Sequence, residues 1–285
     1  DAGGDGAVTT AAVAMAAATA KLRAAGVPDP ACDARILLAH AARVDAVRVT
    51  LIAPEEIAPE ISERYEHLVS LRAVRVPVSH LVGERAFYGR GFKVSREVLD
   101  PRPETESLIE AALSQPFERV LDLGTGSGCI LVTLLAERET ATGVGVDLSE
   151  GACLQASANA VLHGVAERAQ IVQSDWFEVV EGRYDLIASN PPYLAQSEMA
   201  AIAPELALHE PAMALTDGED GLSVYRLIAA RAQQYLTAQG RVLAEIGWQQ
   251  GADVSAIFRA AGWADVAVLP DLDGRDRVIC AQNPA

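Results

Sequence analysis

The sequence predicts an α/β fold: a doubly wound, mostly parallel sheet preceded by a small all-helical domain. Three observations predict it. From Arg119 onward, seven short apolar runs of strand length are interspersed with segments of helical period. The first run empties into a glycine-rich turn, Gly124-Thr125-Gly126-Ser127-Gly128, that opens a helix. Ahead of residue 79, only helical patterns occur.

Taken in order, alanine dominates residues 7–26, and Gly26 followed by Pro28 stops that first helix. The first six residues carry no structural weight. Asp29-Pro30 reads as an N-cap with proline at the first helical position. Ile36, Leu37, His40, Ala41 and Val44 give the second helix its stripe, with His40 at the core edge. A third helix begins near Pro59, carries Ile61, Tyr65, Leu68 and Arg72, and ends at Pro77. Residues 1–78 thus form a helical domain without a catalytic constellation, and substrate docking is its expected role. Residues 79–100 set Phe87, Tyr88 and Phe92 around Gly89 and Gly91, a hairpin linker.

Residues 101–285 form the α/β domain. Strands are predicted at Arg119–Leu123, Thr142–Leu148, Gln170–Gln173, Asp185–Ser189, Arg241–Ile246, Asp265–Leu269 and Arg277–Ala281. Helices are predicted at Cys129–Glu137, Gly151–His163, Leu222–Leu236 and up to Gly262. The Pro270–Asp276 connection is too short for a crossover helix, so the last two strands pair antiparallel.

Half of the 285 residues are hydrophobic, enough for a sizeable core, and the formal net charge is −16. Residues 1–80 carry 8 Lys+Arg against 10 Asp+Glu, so −14 falls to the rest. A catalytic half that acidic disfavours phosphate backbones, so no direct nucleic-acid partner is expected. Cys32, Cys129, Cys153 and Cys280 are far apart, with no ligand spacing, and read as free thiols in a reducing cytosol; no metal is expected. The Ala11–Ala20 stretch is too short and weakly apolar to cross a bilayer, so no membrane is expected and the location is cytoplasmic.

The chemistry collects at strand ends, where α/β sheets bind ligands. Glycines in the Gly124–Gly128 loop let a ligand approach the backbone, and Asp122 sits just before it, which suits a cationic ligand. Asp147 ends the second strand about where an acid meets ribose hydroxyls; its plainer role is a helix cap, which Ser149 can supply instead. Ser174-Asp175-Trp176-Phe177 ends the third, with Asp175 suited to an adenine amino group and Trp176 or Phe177 to its face; the plainer reading, that both aromatics are core, is outweighed by the agreement of three strand ends. The fourth strand stops at Asn190-Pro191-Pro192-Tyr193. Prolines offer no N–H and a fixed φ, so the Asn190 and Pro191 carbonyls escape regular structure and remain acceptors. A side-chain amide, those carbonyls and an aromatic face make a socket for a planar –NH2 group. The plainer reading, a proline stop after a strand, ignores the glycine loop upstream. Accepting hydrogen bonds from both N–H groups of an amide would orient its nitrogen toward an incoming methyl carbon. Arg102, held between Pro101 and Pro103 ahead of Glu104 and Glu106, is not explained by an ordinary helix start, whereas the acids are.

With these motifs in place, the chain resembles the HemK/PrmC family, the protein-glutamine methyltransferases of bacterial class I peptide release factors. The likeness runs through Phe87-Tyr88-Gly89, Pro101–Glu106, Val120–Ile130, Gly145-Val146-Asp147, Ser174–Phe177, Ser189–Tyr193, Glu210-Pro211, Asp220-Gly221-Leu222, Glu245-Ile246-Gly247 and Gly274–Arg277. It implies the seven-stranded class I methyltransferase sheet with an antiparallel last strand. It implies S-adenosyl-L-methionine as cofactor, S-adenosyl-L-homocysteine as product, and the glutamine of a release factor's Gly-Gly-Gln loop as acceptor. Cofactor contacts are expected from Asp122, Gly124, Thr125, Gly126, Ser127, Gly128, Asp147, Asp175, Trp176, Phe177 and Asn190. Catalytic and substrate contacts are expected from Asn190, Pro191, Pro192 and Tyr193, with Arg102 and Glu104 on the substrate side. His80 and Asp100 depart from the family's usual residues. Ribosomal-protein glutamine methyltransferases share the Asn-Pro-Pro-Tyr loop but typically lack the Pro-Arg-Pro-Glu-Thr-Glu run. A nucleic-acid adenine methyltransferase would need a basic recognition region. A nicotinamide dehydrogenase would leave the acceptor socket without a use, and a non-enzymatic binding module would not need it.

Overall fold

The computed structural model describes residues 9–284, so the expectations for residues 1–8, including the start of the first helix, lie outside the described residues. The chain divides into two compact units, Asp1–Gly83 and Glu84–Ala285.

The first unit is helical: α1 (Ala11–Ala24), α2 (Pro30–Ala42), α3 (Val49–Ile52), α4 (Pro59–Ala73) and α5 (Val78–Val82). Asp29 caps α2 through the Cys32 N–H, with Pro30 inside the first turn. Leu22, Leu37, Leu38, Tyr65 and Val69 form its core. Two polar contacts pin it, Tyr65 Oη donating to the Ala34 carbonyl at 2.9 Å and Arg72 paired with Asp33 at 2.7 Å. The predicted third helix does not reach Pro77. It ends at Ala73, and Pro77 instead begins α5, whose C-cap is Gly83 at φ +74°.

The second unit opens on a hairpin, β1 (Glu84–Phe87) and β2 (Arg90–Lys93), turned through Tyr88 and Gly89 at φ +47° and +70°. Phe87 and Phe92 leave the hairpin edge to face, 6.0 Å apart, and enter the core of this unit. Next come α6 (Glu106–Leu113), β3 (Arg119–Leu123), α7 (Cys129–Glu137), β4 (Thr142–Asp147), α8 (Glu150–Leu162), β5 (Ala169–Gln173) and β6 (Tyr184–Ser189). The chain then makes an excursion containing α9 (Pro204–His209) before α10 (Ser223–Arg231), β7 (Leu236–Glu245), α11 (Gly251–Ala260), β8 (Ala264–Pro270) and β9 (Asp276–Gln282).

The sheet order is β5-β4-β3-β6-β7-β9-β8, and only β9 runs against the rest. Alternate residues feed opposite faces: Leu121 and Ile187 join α10 and α11, while Val120, Leu186 and Ala188 join α6 and α7. The predicted helix Leu222–Leu236 is shorter than its pattern. It gives way to a 3-10 turn at Ala232–Tyr235, and β7 starts at Leu236, pairing with Tyr184. The Trp263 indole donates to the Ala229 carbonyl at 2.8 Å, which fixes where that helix closes.

Candidate active site

The strand order reverses between β3 and β6, so the loops after these two strands diverge and leave a crevice. Register brings Leu123 opposite both Val146 and Ser189, and Asp147 opposite Gln173, so four strands end at one edge of the sheet. Ser189 Oγ donates to the Leu123 carbonyl at 2.8 Å, holding the two sides of the crevice together. A cavity of about 400 Å³ lies there, within the usual range for small-molecule sites.

The glycine loop forms one wall. A Cβ at Gly126, φ +54°, would meet no protein atom within 4 Å, so the space above its backbone is open. At Gly128 a Cβ would press on the Ala156 Cα at 3.1 Å, so this glycine lets α7 and α8 close up. Asp147 shapes the loop, accepting from the Gly126 N–H and the Ser149 N–H, both at 2.9 Å. Ser149 caps α8 through the Ala152 N–H, so Asp147 is not needed there. Asn159, fully buried, donates to the Ser127 carbonyl and exchanges two hydrogen bonds with the Lys93 backbone, tying the loop to the hairpin.

Trp176 stands at the mouth in a left-handed backbone, φ +48°, a conformation that costs an L-residue about 1 kcal/mol or more. Its ring lies 3.8 Å from where a Cβ on Gly124 would be. Phe177 turns the other way, fully buried and stacked on Tyr235 at 4.9 Å, so it belongs to the core.

Asn190 is in the opposite wall. Its Nδ2 donates to Thr105 Oγ1 at 3.2 Å, and that hydroxyl donates to Glu245 Oε2 at 2.6 Å. Asn190 Oδ1 is buried with no partner among the described residues. None of them donates to the Asn190, Pro191 or Pro192 carbonyls either. Burial pushes the Glu245 carboxyl up to about 7, against the Thr105 hydrogen bond and the nearby Arg277. Gln250 braces the socket from behind, its Nε2 donating to the Tyr193 carbonyl at 2.9 Å and the Gly221 carbonyl at 3.2 Å. A Cβ on Gly221 would run into that Tyr193 carbonyl.

The cavity thus brings together Gly124, Thr125, Gly126, Ser127, Asp147, Asp175, Trp176, Asn190, Pro192 and Arg102. It does not bring in Asp122, Gly128, Phe177, Pro191, Tyr193 or Glu104. Asp122 is fully buried behind the loop, accepting from the Thr125 hydroxyl at 2.7 Å and the Leu131 N–H, so it sets the loop's shape. Burial pushes its carboxyl up to about 7 despite those bonds. Tyr193 packs half-buried against the core, its phenol pushed up to about 12 by burial. Arg102 is explained by a partner far along the chain, bonding both Glu210 oxygens at 2.6 and 2.7 Å. Glu104 is exposed. Asp100, which departs from the family's usual residue, lines this cavity. Sequence reasoning missed Thr105, Glu245 and Gln250, though the first two stand inside motifs it quoted. No group of three metal-ligating side chains occurs among the described residues, and no helix there is long and apolar enough to cross a membrane.

Comparison with known proteins agrees with this architecture. Residues 14–83 match the PrmC N-terminal domain and residues 94–246 the methyltransferase small domain. A crystal structure of a methyltransferase from Pyrococcus furiosus superposes with a TM-score of 0.54 at 15% identity, covering 70% of this chain and 92% of that one, a likeness of fold alone. The release factor glutamine methyltransferase of Cereibacter sphaeroides is 55% identical over 96% of this chain and 99% of its own length. That of Agrobacterium fabrum is 39% identical over 97% and 98%. Spanning the helical and sheet units alike, these matches make the chain a member of the release factor glutamine methyltransferase family.

Proposed function

We propose that this chain transfers a methyl group from S-adenosyl-L-methionine to the side-chain amide nitrogen of the glutamine in the Gly-Gly-Gln loop of class I peptide chain release factors. The observation that carries the reading is the unpartnered Oδ1 of Asn190, in the cavity wall across the switch point from the glycine loop. The chain's family membership supports it. The cofactor fits the residues present: open space over Gly126, an indole beside Gly124, and a carboxylate at Asp147. When bound, it supplies an electrophilic methyl carbon on a sulfonium.

In this reading the Gly124–Ser127 backbone and Asp147 hold the cofactor's polar groups, and Trp176 with Asp175 takes its adenine. Asn190 Oδ1, in the cavity wall, accepts one N–H group of the glutamine amide, and the Pro191 carbonyl, to which no described residue donates although Pro191 does not line the cavity, accepts the other. That orients its nitrogen and accommodates the charge that builds on it as the methyl arrives. No strong base is needed beforehand, because methylation acidifies the nitrogen. Pro192 and Tyr193 hold the loop that presents these acceptors, and Arg102 fixes Glu210 beside it. Residues 1–83 dock the release factor in the cytoplasm.

The test is a transfer assay with labelled S-adenosyl-L-methionine, a purified release factor, and the same factor with its loop glutamine replaced. Label on the first alone is expected. Label on neither, with cofactor binding intact, would overturn the release factor as substrate.

A further inference from the structure

Asn190 has two ends of nearly equal shape, and only one can serve an incoming –NH2 group. If the side chain turned over, its own NH2 would face the acceptor donor to donor, and methyl transfer would stall. Something must therefore decide which end is tied down. Among the described residues, one side-chain hydrogen bond holds this amide, from Nδ2 to Thr105 Oγ1. Thr105 is 1% exposed, and its single hydroxyl proton goes to Glu245 Oε2. A hydroxyl that has given its proton to a carboxylate has only lone pairs left. It can accept from an NH2 but cannot donate to a C=O.

We infer that Thr105 and Glu245 are positioning residues that select the amide orientation of Asn190 and so set the acceptor site for a group bearing N–H donors. The inference rests on the functional reading of Asn190 given above. It extends the transfer machinery by two buried side chains, Thr105 in the cavity lining and Glu245 behind it, joined by hydrogen bonds that span 85 and 140 positions of sequence.

The relay is polarised only while Glu245 is charged. A protonated Glu245 can donate to Thr105, which frees the Thr105 proton for the Asn190 oxygen and reverses the amide. Charged or titratable groups facing Glu245 are Arg277 from β9, Arg102 and Glu104 ahead of α6, Tyr193 after β6, Tyr225 on α10, whose hydroxyl donates to the Glu245 carbonyl, and Cys129 on α7. The Tyr193 phenol and the Cys129 thiol are each pushed up to about 12, well away from the value of about 7 to which burial raises Glu245.

The test compares Thr105→Val, Thr105→Ser and Glu245→Gln with the unaltered protein. In the transfer assay, Thr105→Val is expected to lower kcat about 10- to 100-fold, with the KM for S-adenosyl-L-methionine unchanged. Thr105→Ser restores kcat to within about 3-fold, because the hydroxyl is what matters. The acid limb of the kcat profile is expected to flatten in Glu245→Gln, leaving only what Asp122 contributes. An undiminished kcat in Thr105→Val, or an acid limb as steep in Glu245→Gln as in the unaltered protein, overturns the relay. A second readout needs no activity: the Asn190 side-chain NH2 resonances of the ligand-free protein, identified by their loss in Asn190→Ala. They are expected to shift with pH in the unaltered protein and to lose that shift in Thr105→Val. Resonances that titrate identically in both proteins overturn the relay even where the release factor proves to be the wrong substrate. A wild-type protein that labels no release factor but shows the shift overturns the functional reading alone.

Discussion

At the scale of single residues, the proposed function turns on Asn190. Asn190→Ala is expected to leave S-adenosyl-L-methionine affinity within about 3-fold while lowering transfer ~100- to 1000-fold, the cost of losing one fixed hydrogen-bonding partner of a developing charge. Calorimetry for binding and the labelled assay for transfer separate the two. Gly126→Val should do the reverse, since a branched side chain would fill the open space over its backbone at a φ that only glycine tolerates easily. Loss of cofactor binding at least 10-fold is expected there. Asn190 was legible because a polar residue followed by two prolines interrupts an apolar run locally. Thr105 and Glu245 were not, because each is defined by a partner brought near only by the fold. Phe177 shows the opposite limit: nothing in Ser174–Phe177 says which of two adjacent aromatics turns inward, and the left-handed backbone at Trp176 decides it.

At the scale of elements, the strands and helices that alternate with period were legible from Arg119 to Ser189 almost to the residue. Their hydrophobic pattern is dictated by two buried sheet faces. The excursion between β6 and α10 was not. It carries α9 and two 3-10 turns, and its order comes from scattered polar contacts. Leu194 bridges to Thr216, Asp217 accepts from the Gly221 and Ser223 N–H groups, and Arg102 clasps Glu210. Arg102→Ala is therefore expected to loosen residues 194–221, costing about 2 kcal/mol, and to speed their proteolysis and hydrogen exchange. Unchanged exchange in that segment would show that Arg102 acts on the substrate rather than on Glu210.

At the scale of the whole molecule, two buried carboxyls make stability fall as pH rises. Asp122 and Glu245 are each held near 7, above the range of an unfolded chain near 4, so the folded state binds their protons more tightly. Their contribution is complete below pH 4 and is lost as pH climbs through 7. Between pH 6 and 8 each should remove on the order of 1 kcal/mol. A thermal midpoint lower at pH 8 than at pH 6 is expected, with the slope reduced in Glu245→Gln. The net charge of −16 adds a second expectation: binding to a basic protein partner weakens as salt is added. Affinity independent of salt would place recognition on apolar contacts instead.

The placement of the tryptophans has a spectroscopic consequence. Of the three in the chain, Trp263 is sealed in the core with its indole N–H bonded, Trp248 is 57% exposed, and Trp176 borders the cavity. Their emission should differ in colour, blue-shifted for Trp263 and red-shifted for Trp248. An adenine stacking at the cavity would quench the Trp176 component alone, so the protein carries its own fluorescent titration probe without a label.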